Sequence, residues 1–570
     1  MSPTPRRQLR PRIAGPSIAG GISSAVLALL AGIAGNTLLC ATGWALPDAG
    51  SLTAVRSQWF GNEALDGNFP AESELFAWTV ATGDFNGDGA ADLATGMPWD
   101  DGPSDLPLAD AGAVVIRWGV PGRGLGSATT LLSLYATGGA TSAEAGDYYG
   151  YALAVGDFNG DYRADLAVGV PGRQFQRGGD IDAGGVMIYL GLPGGIELAG
   201  QQFFRPGIDG VPDPPSSDGN FATDEFGAAL AAGDFNADGY ADLAIGAPQN
   251  RCLWCAAGGG VVVVHGGLGG LTVVDSFLIH QSDPQLPDVT EGPDDFGFAL
   301  TAGNFNGDYW CFLQVCLWPY DDLAISAPGE DDEGAVMVLY GSNWSLLFGG
   351  AVYLGQGDVG GSGGESGDNF GSVLASGDLD RDGYEELAIG TPFEALGPGN
   401  VFNDAGEVTL VYGAAAGFNL GRTLRLAEGP FHGSPGTTGT HFGSGLAIAD
   451  FDRDGRADLA VGIPGMASAG PGAGAALVLL GEAGGGFSRY RFQFPGFIGV
   501  PPGPQNFADF GSSLAAGDFD GDGHADLVIG IPYRDLAGIA DVGAETVLYG
   551  TLFADGFESQ NSFLWSGSAP

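Results

Sequence analysis

A nine-residue acidic segment recurs along the chain at nearly constant spacing, and this repeat constrains the fold more than any other feature. The first copy, Asp84-Phe-Asn-Gly-Asp-Gly-Ala-Ala-Asp92, is followed by copies that begin at positions 157, 234, 304, 378, 450 and 518. Successive copies therefore begin 68 to 77 residues apart. A repeat of this kind indicates one supersecondary unit that is used several times.

Each copy stands in the same sequence environment. A Phe-Gly pair such as Phe226-Gly227 precedes it, and a Leu-Ala-Ile-Gly-Ala-Pro-like run follows it. A third apolar run ends in glycine, as in Ala113 to Gly119, and a fourth, weaker run follows, as in Leu131 to Tyr135 or Tyr490 to Phe494. Short β-rich runs bounded by Gly, Pro and Asp are typical of strands joined by turns. Seven such units predict an all-β fold, a seven-bladed β-propeller of four-stranded antiparallel blades.

The two ends of the repeat region predict how the ring closes. The last copy has a third strand around Thr546 to Gly550 and little sequence after it, whereas an additional strand-like run, Leu52 to Phe60, precedes the first copy. We expect the N-terminal run to serve as the outer strand of the seventh blade, which hides an open edge. The propeller then occupies residues 51–550, and a C-terminal tail occupies 551–570.

Composition narrows the classes of function. Glycine contributes 104 of 570 residues, which argues against long helices and for many tight turns. The formal net charge is −48, with 68 acidic and 20 basic residues, so nucleic acid and anionic membrane surfaces are repelled. The chain contains no phosphate-binding loop motif, and we expect no nucleotide ligand. Cations are the natural partners of such a chain.

The acidic repeats have the spacing of an oxygen-ligand cation loop. Side chains at positions one, three and five, the backbone carbonyl at position seven and the carboxylate at position nine can surround one ion, and hard oxygen ligands in a flexible loop select Ca²⁺. The candidate ligands are Asp84, Asn86, Asp88, Ala90 and Asp92; Asp157, Asn159, Asp161, Arg163 and Asp165; Asp234, Asn236, Asp238, Tyr240 and Asp242; Asn304, Asn306, Asp308 and Asp322; Asp378, Asp380, Asp382, Tyr384 and Glu386; Asp450, Asp452, Asp454, Arg456 and Asp458; and Asp518, Asp520, Asp522, His524 and Asp526.

The seven loops differ in quality, and the sequence predicts five to seven Ca²⁺ sites. Tyr162 replaces the glycine at position six of the loop that begins at Asp157. The loop that begins at Asn304 lacks the first carboxylate and is split by an insertion that holds Cys311 and Cys316. The alternative is that the loops are ion-free Asx-rich turns.

The combination of Phe-Gly, acidic loop and Gly-Ala-Pro resembles the FG-GAP repeats of the integrin α-chain propeller and its many bacterial relatives. The resemblance covers about residues 51 to 550. It implies that the loops join the first two strands of each blade on one face, with structural Ca²⁺, and that ligands contact the opposite face.

The N-terminus has the layout of a secretory signal peptide. Four arginines between Arg6 and Arg12 precede the uncharged stretch Ile13 to Pro47, and Gly43-Trp44-Ala45 ends with small residues three apart. We expect a signal peptide at 1–45, cleaved after Ala45, and a secreted or cell-surface protein. An uncleaved membrane anchor is the alternative. The four remaining cysteines then predict two local disulfides, Cys252–Cys255 and Cys311–Cys316, with a zinc site as the alternative.

The sequence offers no convergent catalytic set and favours binding over catalysis. The five histidines (His265, His280, His432, His441 and His524) form no recognisable motif. Long loops opposite the acidic segments carry residue types that are enriched at interfaces, namely Trp99, Arg173, Phe175, Arg177, Tyr533 and Arg534, although these side chains can equally pack their own loops. We expect an extracellular protein or glycan as the ligand. The alternatives are a polysaccharide-processing enzyme and a purely structural surface protein.

Overall fold

The computed structural model describes most of the chain between residues 57 and 550. The described residues are 57–61, 74–102, 108–134, 143–173, 184–198, 201–208, 210–212, 225–249, 258–287, 294–312, 315–360, 366–397, 400–432, 437–467, 472–493, 508–535 and 540–550. All of them lie in one compact unit, Val55–Pro570. The leader, Cys252, Cys255 and the C-terminal tail lie outside the described residues.

The described chain forms seven four-stranded antiparallel sheets, as the repeat predicts. From the centre outwards, the strands are β2 (Thr79–Gly83), β3 (Asp92–Met97), β4 (Ala113–Val120) and β5 (Gly124–Leu132) in blade 1; β6 (Leu153–Gly156), β7 (Asp165–Gly169), β8 (Val186–Tyr189) and β11 (Gln202–Phe204) in blade 2; β12 (Ala229–Gly233), β13 (Asp242–Ala247), β14 (Gly260–His265) and β15 (Thr272–Ile279) in blade 3; β16 (Leu300–Gly303), β19 (Asp322–Ala327), β20 (Ala335–Tyr340) and β21 (Leu347–Gly355) in blade 4; β22 (Val373–Gly377), β23 (Glu386–Thr391), β24 (Glu407–Ala414) and β25 (Gly417–Leu426) in blade 5; β26 (Leu446–Ala449), β27 (Asp458–Ile463), β28 (Ala475–Leu480) and β29 (Arg489–Gln493) in blade 6; and β30 (Leu514–Gly517), β31 (Asp526–Ile531), β32 (Ala544–Leu548) and β1 (Ser57–Gly61) in blade 7.

Among the described residues, two short hairpins and two short helices lie outside the blades. Two hairpins are formed by β9 (Gly191–Leu192) with β10 (Gly195–Ile196) and by β17 (Tyr309–Phe312) with β18 (Val315–Pro319). A 3₁₀-helix spans Glu330–Asp332 and a one-turn α-helix spans Gly429–His432. In the described part of the chain, no helix is both long and apolar enough to cross a membrane.

The inner strands form a closed ring. Each of β2, β6, β12, β16, β22, β26 and β30 contacts the next in this order, and β30 contacts β2. The aromatic residue at the first position of the Phe-Gly pair or its relative packs between blades, and it is at most 1 % exposed in all seven units (Phe76, Tyr149, Phe226, Phe296, Phe370, Phe442 and Phe510). The hydrophobic core is therefore distributed among the spaces between neighbouring blades.

The N-terminal strand closes the ring as predicted. In β1, Ser57 pairs with Leu548 and Gly61 with Ala544, so β1 is the outer strand of blade 7. Residues 52–56 of the predicted run lie outside the described residues. The Tyr549 hydroxyl accepts a hydrogen bond from Leu125 N at 2.9 Å and contacts Gln58 Oε1, which ties the closing strand to blade 1.

The fourth strand of blade 1 begins earlier than the sequence predicts. The predicted run was Leu131 to Tyr135, whereas β5 spans Gly124–Leu132 and follows β4 through a tight turn. The exposed part of β5 is rich in Gly, Ser and Thr rather than apolar residues, because only one side of this outer strand packs on the blade. In blade 6, β29 matches the predicted run to within one residue at each end.

A buried ion pair joins blade 1 to blade 7. Arg117 Nε lies 3.2 Å from Glu545 Oε1, and the hydroxyl of Thr95 donates to Glu545 Oε2 at 2.7 Å. The Arg117 guanidinium carbon also lies 4.3 Å from the centre of the Phe60 ring on the closing strand. Because both charged groups are buried, each depends on the other for compensation.

We predict that Arg117→Met lowers the free energy of unfolding by about 3–5 kcal/mol, because it leaves the Glu545 carboxylate buried without a cation. The double variant Arg117→Met with Glu545→Gln recovers much of this loss. Exposed Arg123 lies in the turn that follows β4, and Arg123→Met serves as the matched control, with a change within about 0.5 kcal/mol. Urea unfolding measures all three variants. Equal stability of the Arg117 and Arg123 variants would contradict the idea that the Arg117–Glu545 ion pair stabilises the contact between blades 1 and 7.

Candidate metal centres

The seven acidic loops lie on one face of the propeller, which we call the acidic-loop face. Each loop joins the first and second strands of its blade, as between β2 and β3 or between β26 and β27. The side chain at position two anchors each loop in the core and is fully buried in all seven (Phe85, Phe158, Phe235, Phe305, Leu379, Phe451 and Phe519). This placement agrees with the one predicted from the repeat.

Position one organises the loop through its own backbone. Asp450 accepts hydrogen bonds from Asp454 N at 3.1 Å and Gly455 N at 2.9 Å. Position six has a positive φ, which favours glycine, as at Gly455 with φ of 84°. Tyr162 adopts φ of 66° at this position and is 95 % exposed, so the second loop keeps the same turn at a cost in backbone strain.

The carboxylate at position nine connects the loop to the third strand of its blade. Asp92 accepts hydrogen bonds from Phe85 N at 3.0 Å and from Gly119 N at 2.8 Å. The same pair of bonds, from the position-two amide and from a glycine at the end of the third strand, is made by Asp165, Asp242, Asp322, Asp458 and Asp526. The sequence predicted these residues as ligands but not this second task.

Burial disfavours the ionised form of the position-nine carboxyl groups. It raises the pKa to about 7 for Asp92, Asp165, Asp458 and Asp526 and to about 8 for Asp322 and Glu386. Neighbouring carboxylates, such as Asp84 and Asp88 beside Asp92, act in the same direction as burial. A bound cation is the natural compensation for such a group, since it favours the ionised form.

Three loops bring their carboxylates close enough for a shared ion. The ligand oxygens of positions one, three and nine lie within 4.8 Å of one another in the sets Asp378, Asp380 and Glu386; Asp450, Asp452 and Asp458; and Asp518, Asp520 and Asp526. The position-five residues Asp382, Asp454 and Asp522 are not members of these sets. The loops at 84, 157 and 234 have Asn at position three and thus one carboxylate fewer.

Glu386 differs from the other position-nine residues in a way that suits metal ligation. Its Oε2 accepts a hydrogen bond from Leu379 N at 2.6 Å, but its buried Oε1 has no hydrogen-bond partner among the described residues. An unpartnered carboxylate oxygen in a fully buried side chain is costly. A cation at the site would supply the missing partner, so the oxygen-only donor set of this loop fits a hard divalent ion.

Arginine side chains reach several of the loops. Arg422 lies 2.6 Å from Asp380, and Arg489 lies 3.4 Å from Asp452. At position seven, the sequence predicts only a backbone carbonyl ligand. The structure adds a side-chain contact there, because Arg163 and Arg456 pair with the position-five carboxylates of their own loops at 2.9 and 3.0 Å. These guanidinium groups supply part of the positive charge that the loops need.

The interrupted loop of blade 4 keeps the backbone hydrogen bonds to its position-nine carboxylate. Asp322 lies after the β17–β18 hairpin and still accepts hydrogen bonds from Phe305 N and Gly341 N, both at 2.9 Å. Asn304 bonds Asp308 through its amide group, in place of the missing carboxylate. Cys311 and Cys316 are paired positions of the hairpin, which is compatible with a local bridge.

A closed ring of backbone hydrogen bonds joins the seven loops. The position-eight amide of each loop donates to the position-one carbonyl of the preceding blade, at 2.8 to 3.4 Å, in the pairs Ala91–Asp518, Ala164–Asp84, Ala241–Asp157, Asp321–Asp234, Glu385–Asn304, Ala457–Asp378 and Ala525–Asp450. Each loop is thereby bonded to the loop of the preceding blade, through the residue next to its position-nine carboxylate.

The opposite face carries an aromatic cluster, which we call the aromatic quartet (Trp78, Trp99, Tyr148 and Tyr151). The Trp78 and Trp99 ring centres lie 4.6 Å apart, and those of Trp99 and Tyr148 lie 6.0 Å apart. All four side chains are half-buried. Trp78 and Tyr151 also line a cavity of about 280 Å³ at the mouth of the central channel, together with Ser372, Ser444 and Ser512.

The other predicted interface residues differ in burial and in their contacts. Arg173 is buried and pairs at 2.7 Å with Asp147 from a different loop, so it has a packing role, the alternative to ligand contact that the sequence left open. The Arg534 guanidinium lies 5.1 Å from the centre of the Trp59 ring, and Tyr533 beside it is half-buried. Phe175 and Arg177 lie outside the described residues.

The histidines agree with structural roles where they are described. His265 Nδ1 lies 3.2 Å from Asp242 Oδ1 at the end of β14. His524 contacts Arg453 of the neighbouring loop at 3.2 Å. His441 packs against Phe393, with ring centres 5.3 Å apart. These three lie in separate blades and form no common site.

The repeat units are similar in sequence to a known family of repeats. The FG-GAP repeat family model matches residues 76–116, 149–186, 226–265, 370–411, 442–479 and 510–548, which are all blades except the interrupted fourth. The chain is a propeller of FG-GAP repeats. It is an integrin-α-like FG-GAP repeat protein, because the repeats are also homologous to those of integrin α chains.

The relatives are much larger than the shared region. Integrin alpha-PS2 of Drosophila melanogaster is 30 % identical over 266 residues, 46 % of this chain and 16 % of that protein. Integrin alpha pat-2 of Caenorhabditis briggsae is 28 % identical over 269 residues, 45 % of this chain and 19 % of that protein. Phosphatidylinositol-glycan-specific phospholipase D of Rattus norvegicus is 34 % identical over 176 residues, 30 % of this chain and 19 % of that protein. The shared repeats therefore occur both in integrin chains and in an enzyme and assign no catalytic activity by themselves.

We predict that Asp458→Asn destabilises the protein even in the presence of chelator, by about 1–3 kcal/mol, because an amide nitrogen then faces one of two backbone donors. Asp454→Asn in the same loop is the matched control, with an expected change within about 0.5 kcal/mol, because its carboxylate accepts the Arg456 amide and pairs with the Arg456 guanidinium at a solvent-exposed position, where an ion pair contributes little. Urea unfolding in chelator distinguishes the two. Equal losses contradict the connecting role of position nine.

Proposed function

We propose that this protein is an extracellular binding module whose propeller is stabilised by Ca²⁺ in its acidic loops. The observation that carries the proposal is the fully buried Glu386 Oε1, which has no hydrogen-bond partner among the described residues and lies beside the carboxylates of Asp378 and Asp380. The donors are carboxylate, amide and backbone oxygens, and this chemistry selects Ca²⁺ over zinc or copper. Integrin α chains are among the relatives, which supports the assignment.

The loops should differ in affinity for the ion. The loops at 378, 450 and 518 have carboxylates at positions one, three and nine and are the strongest candidates. The loops at 84, 157 and 234 have one carboxylate fewer, and the loop at 304 has lost its first carboxylate. We infer five to seven sites, with the loop at 304 as the weakest.

Ligands are proposed to bind on the face opposite the acidic loops. The aromatic quartet supports this choice, since half-buried Trp and Tyr side chains beside an open cavity are typical of binding hot spots. An extracellular protein or a glycan fits this surface, because aromatic rings provide a rigid apolar contact and Tyr hydroxyls a polar one. Of the candidate interface residues predicted from the sequence, Trp99 belongs to the quartet.

We propose that the chain is exported by a signal peptide at residues 1–45 and that residues 51–550 form the exported propeller, with a tail at 551–570. In an oxidising compartment, the proposed bridges are Cys252–Cys255 and Cys311–Cys316. The facing positions of Cys311 and Cys316 in the hairpin support the second bridge.

We predict that chelation of Ca²⁺ strongly lowers the melting temperature. A site that binds only the folded chain adds roughly 2.7 kcal/mol at 100-fold excess over Kd, and extracellular calcium modules bind at about 10⁻⁴ to 10⁻³ M. Several sites together amount to much of the usual stability of a domain, about 5–15 kcal/mol. Thermal unfolding with millimolar Ca²⁺, with Mg²⁺ and with chelator measures the effect.

The Mg²⁺ arm is the control for ionic strength and charge. Mg²⁺ requires tighter octahedral geometry and gives up its water reluctantly, so it should restore little of the stability. Superimposable melting curves under all three conditions would show that the loops are ion-free turns. Asp450→Ala should remove part of the Ca²⁺ effect but not all of it, because six other loops remain.

We predict that Trp99→Ala weakens ligand binding by at least tenfold, since a hot-spot residue contributes about 2 kcal/mol or more. The protein is first screened against arrays of glycans and extracellular matrix proteins, and the strongest hit is then titrated by calorimetry. Trp344→Ala, an exposed tryptophan on the acidic-loop face, is the matched control and should bind normally. Normal binding by Trp99→Ala would place the ligand elsewhere.

A further inference from the structure

Large apolar side chains are exposed on one side of the acidic-loop face. Tyr162, Leu268 and Trp344 are 95 %, 88 % and 90 % exposed, and Leu192, Tyr309 and Trp318 are more than 40 % exposed. We call these six residues the apolar arc. All of them belong to blades 2, 3 and 4, in the acidic loop of blade 2, the hairpin inserted in blade 4 and the connections between third and fourth strands.

The other blades provide an internal comparison. Equivalent connections between third and fourth strands carry Arg123 in blade 1, Ala415 and Ala416 in blade 5 and Glu482 in blade 6. Among the described residues, the loops, turns and short hairpins of this face expose no large apolar side chain in blades 1, 5, 6 and 7. Single exposed apolar residues are common, but in the described loops and turns of this face they are grouped in three consecutive repeats, and grouping is what marks an interaction surface.

Backbone hydrogen bonds hold the arc in a fixed arrangement. The turn that carries Leu268 is bonded to the loop of Tyr162 by Gly267 N to Phe158 O at 3.0 Å. The turn that carries Trp344 is bonded to the acidic loop of blade 3 by Ser342 N to Phe235 O at 3.1 Å. The side chains are therefore displayed by rigid turns at successive positions around the ring.

Trp318 completes the arc from the inserted hairpin. Its ring centre lies 5.7 Å from that of Trp310, and its indole reaches the acidic loop of blade 3, where a side chain at Gly239 would meet it at 3.6 Å. Tyr320, which follows the hairpin, is hydrogen-bonded through its hydroxyl to Asn343 beside Trp344. The insertion thus adds an aromatic side chain to the same side of the face.

We propose that the apolar arc inserts into the interfacial region of a zwitterionic lipid bilayer and orients the propeller with its acidic-loop face toward the membrane. Trp, Tyr and Leu at the tips of turns match the chemistry of the headgroup region, where amphipathic aromatic rings are enriched. The arc consists of separate projecting side chains, whereas the described channel-mouth cavity lies on the opposite face.

The negative charge of the chain favours zwitterionic over anionic lipids. With a net charge of −48 and acidic loops beside the arc, anionic headgroups are repelled, and a zwitterionic surface is the one that allows apolar insertion. The described chain also begins and ends on this face, because Ser57 pairs with Leu548 at the acidic-loop end of blade 7.

The test uses the full chain and vesicles of phosphatidylcholine, with lipids brominated on the acyl chains. Bromine quenches tryptophan locally, so the difference between the wild type and Trp344→Phe reports on Trp344 irrespective of other membrane contacts. We expect quenching of the Trp344 signal and at least a tenfold weaker binding of the double variant Leu268→Ser with Trp344→Ser. Both side chains are almost fully exposed, and the circular dichroism and melting temperature should remain those of the wild type.

The matched control is Phe393→Ser with Val401→Ser, two exposed apolar residues in blade 5 outside the arc, which should bind within twofold of the wild type. Unquenched Trp344, or equal binding by both double variants, would overturn the proposal. Binding only to phosphatidylserine vesicles and only with Ca²⁺ would overturn it in favour of cation bridging by the loops.

Two further outcomes would assign the arc to a protein surface. Protection of Trp344 from iodide without vesicles would show that a segment of the chain covers it. Ultracentrifugation that finds a dimer in the wild type and a monomer in the Leu268→Ser, Trp344→Ser variant would show self-association. Because phosphatidylcholine binding is measured both with Ca²⁺ and with chelator, failure of the lipid proposal is distinguishable from failure of the calcium proposal.

Discussion

In six of the seven blades, the buried aspartate at position nine fixes the geometry of the acidic-loop end through two backbone hydrogen bonds. In Asp526, one oxygen accepts the Phe519 amide at 3.0 Å and the other accepts the Gly550 amide at 2.7 Å. One side chain thereby fixes the connection between the first two strands and the end of the third strand. Since the same residue type completes the oxygen set of the candidate ion site, the group that stabilises the blade is also a candidate ligand. A carboxyl that is buried and hydrogen-bonded in this way is better stabilised as an anion when a cation lies beside it.

Much of the fold could be predicted from the sequence because the information is repeated seven times. The copy that begins at Asp450 shows the Phe-Gly pair, the acidic loop and the Gly-rich strand end within about 40 residues. Outer strands carry a weaker signal, since only one of their faces packs on the blade, and this explains why the start of β5 at Gly124 was missed. Contacts between separate loops were also missed. Arg173 meets Asp147 from a different loop, and no local pattern shows that this arginine is buried.

The candidate sites could be predicted to the level of the loop but not to that of the single ligand. Spacing alone treats positions one, three, five, seven and nine alike. The structure separates them, since Asp378, Asp380 and Glu386 lie together, whereas Asp382 does not join this set. The longer Glu386 side chain leaves one buried oxygen without a partner, a difference that becomes visible only when the third strand is in place. Arg422 beside Asp380 comes from the fourth strand of the same blade and is equally invisible to a local motif.

The ring of backbone hydrogen bonds explains how one loop can lose ligands without opening the propeller. In blade 4, the bonds use Asp321 N toward Asp234 and Asn304 O toward Glu385, at 3.1 Å each, and these two atoms flank the insertion. Neither bond requires a carboxylate, so replacement of the first aspartate by Asn304 leaves both intact. The inserted hairpin can then project from the face without disturbing the neighbours of its loop. The candidate ligand atoms and the atoms of the hydrogen-bonded ring are therefore different atoms of the same nine residues, so a change of charge at the ligand positions leaves the ring bonds in place.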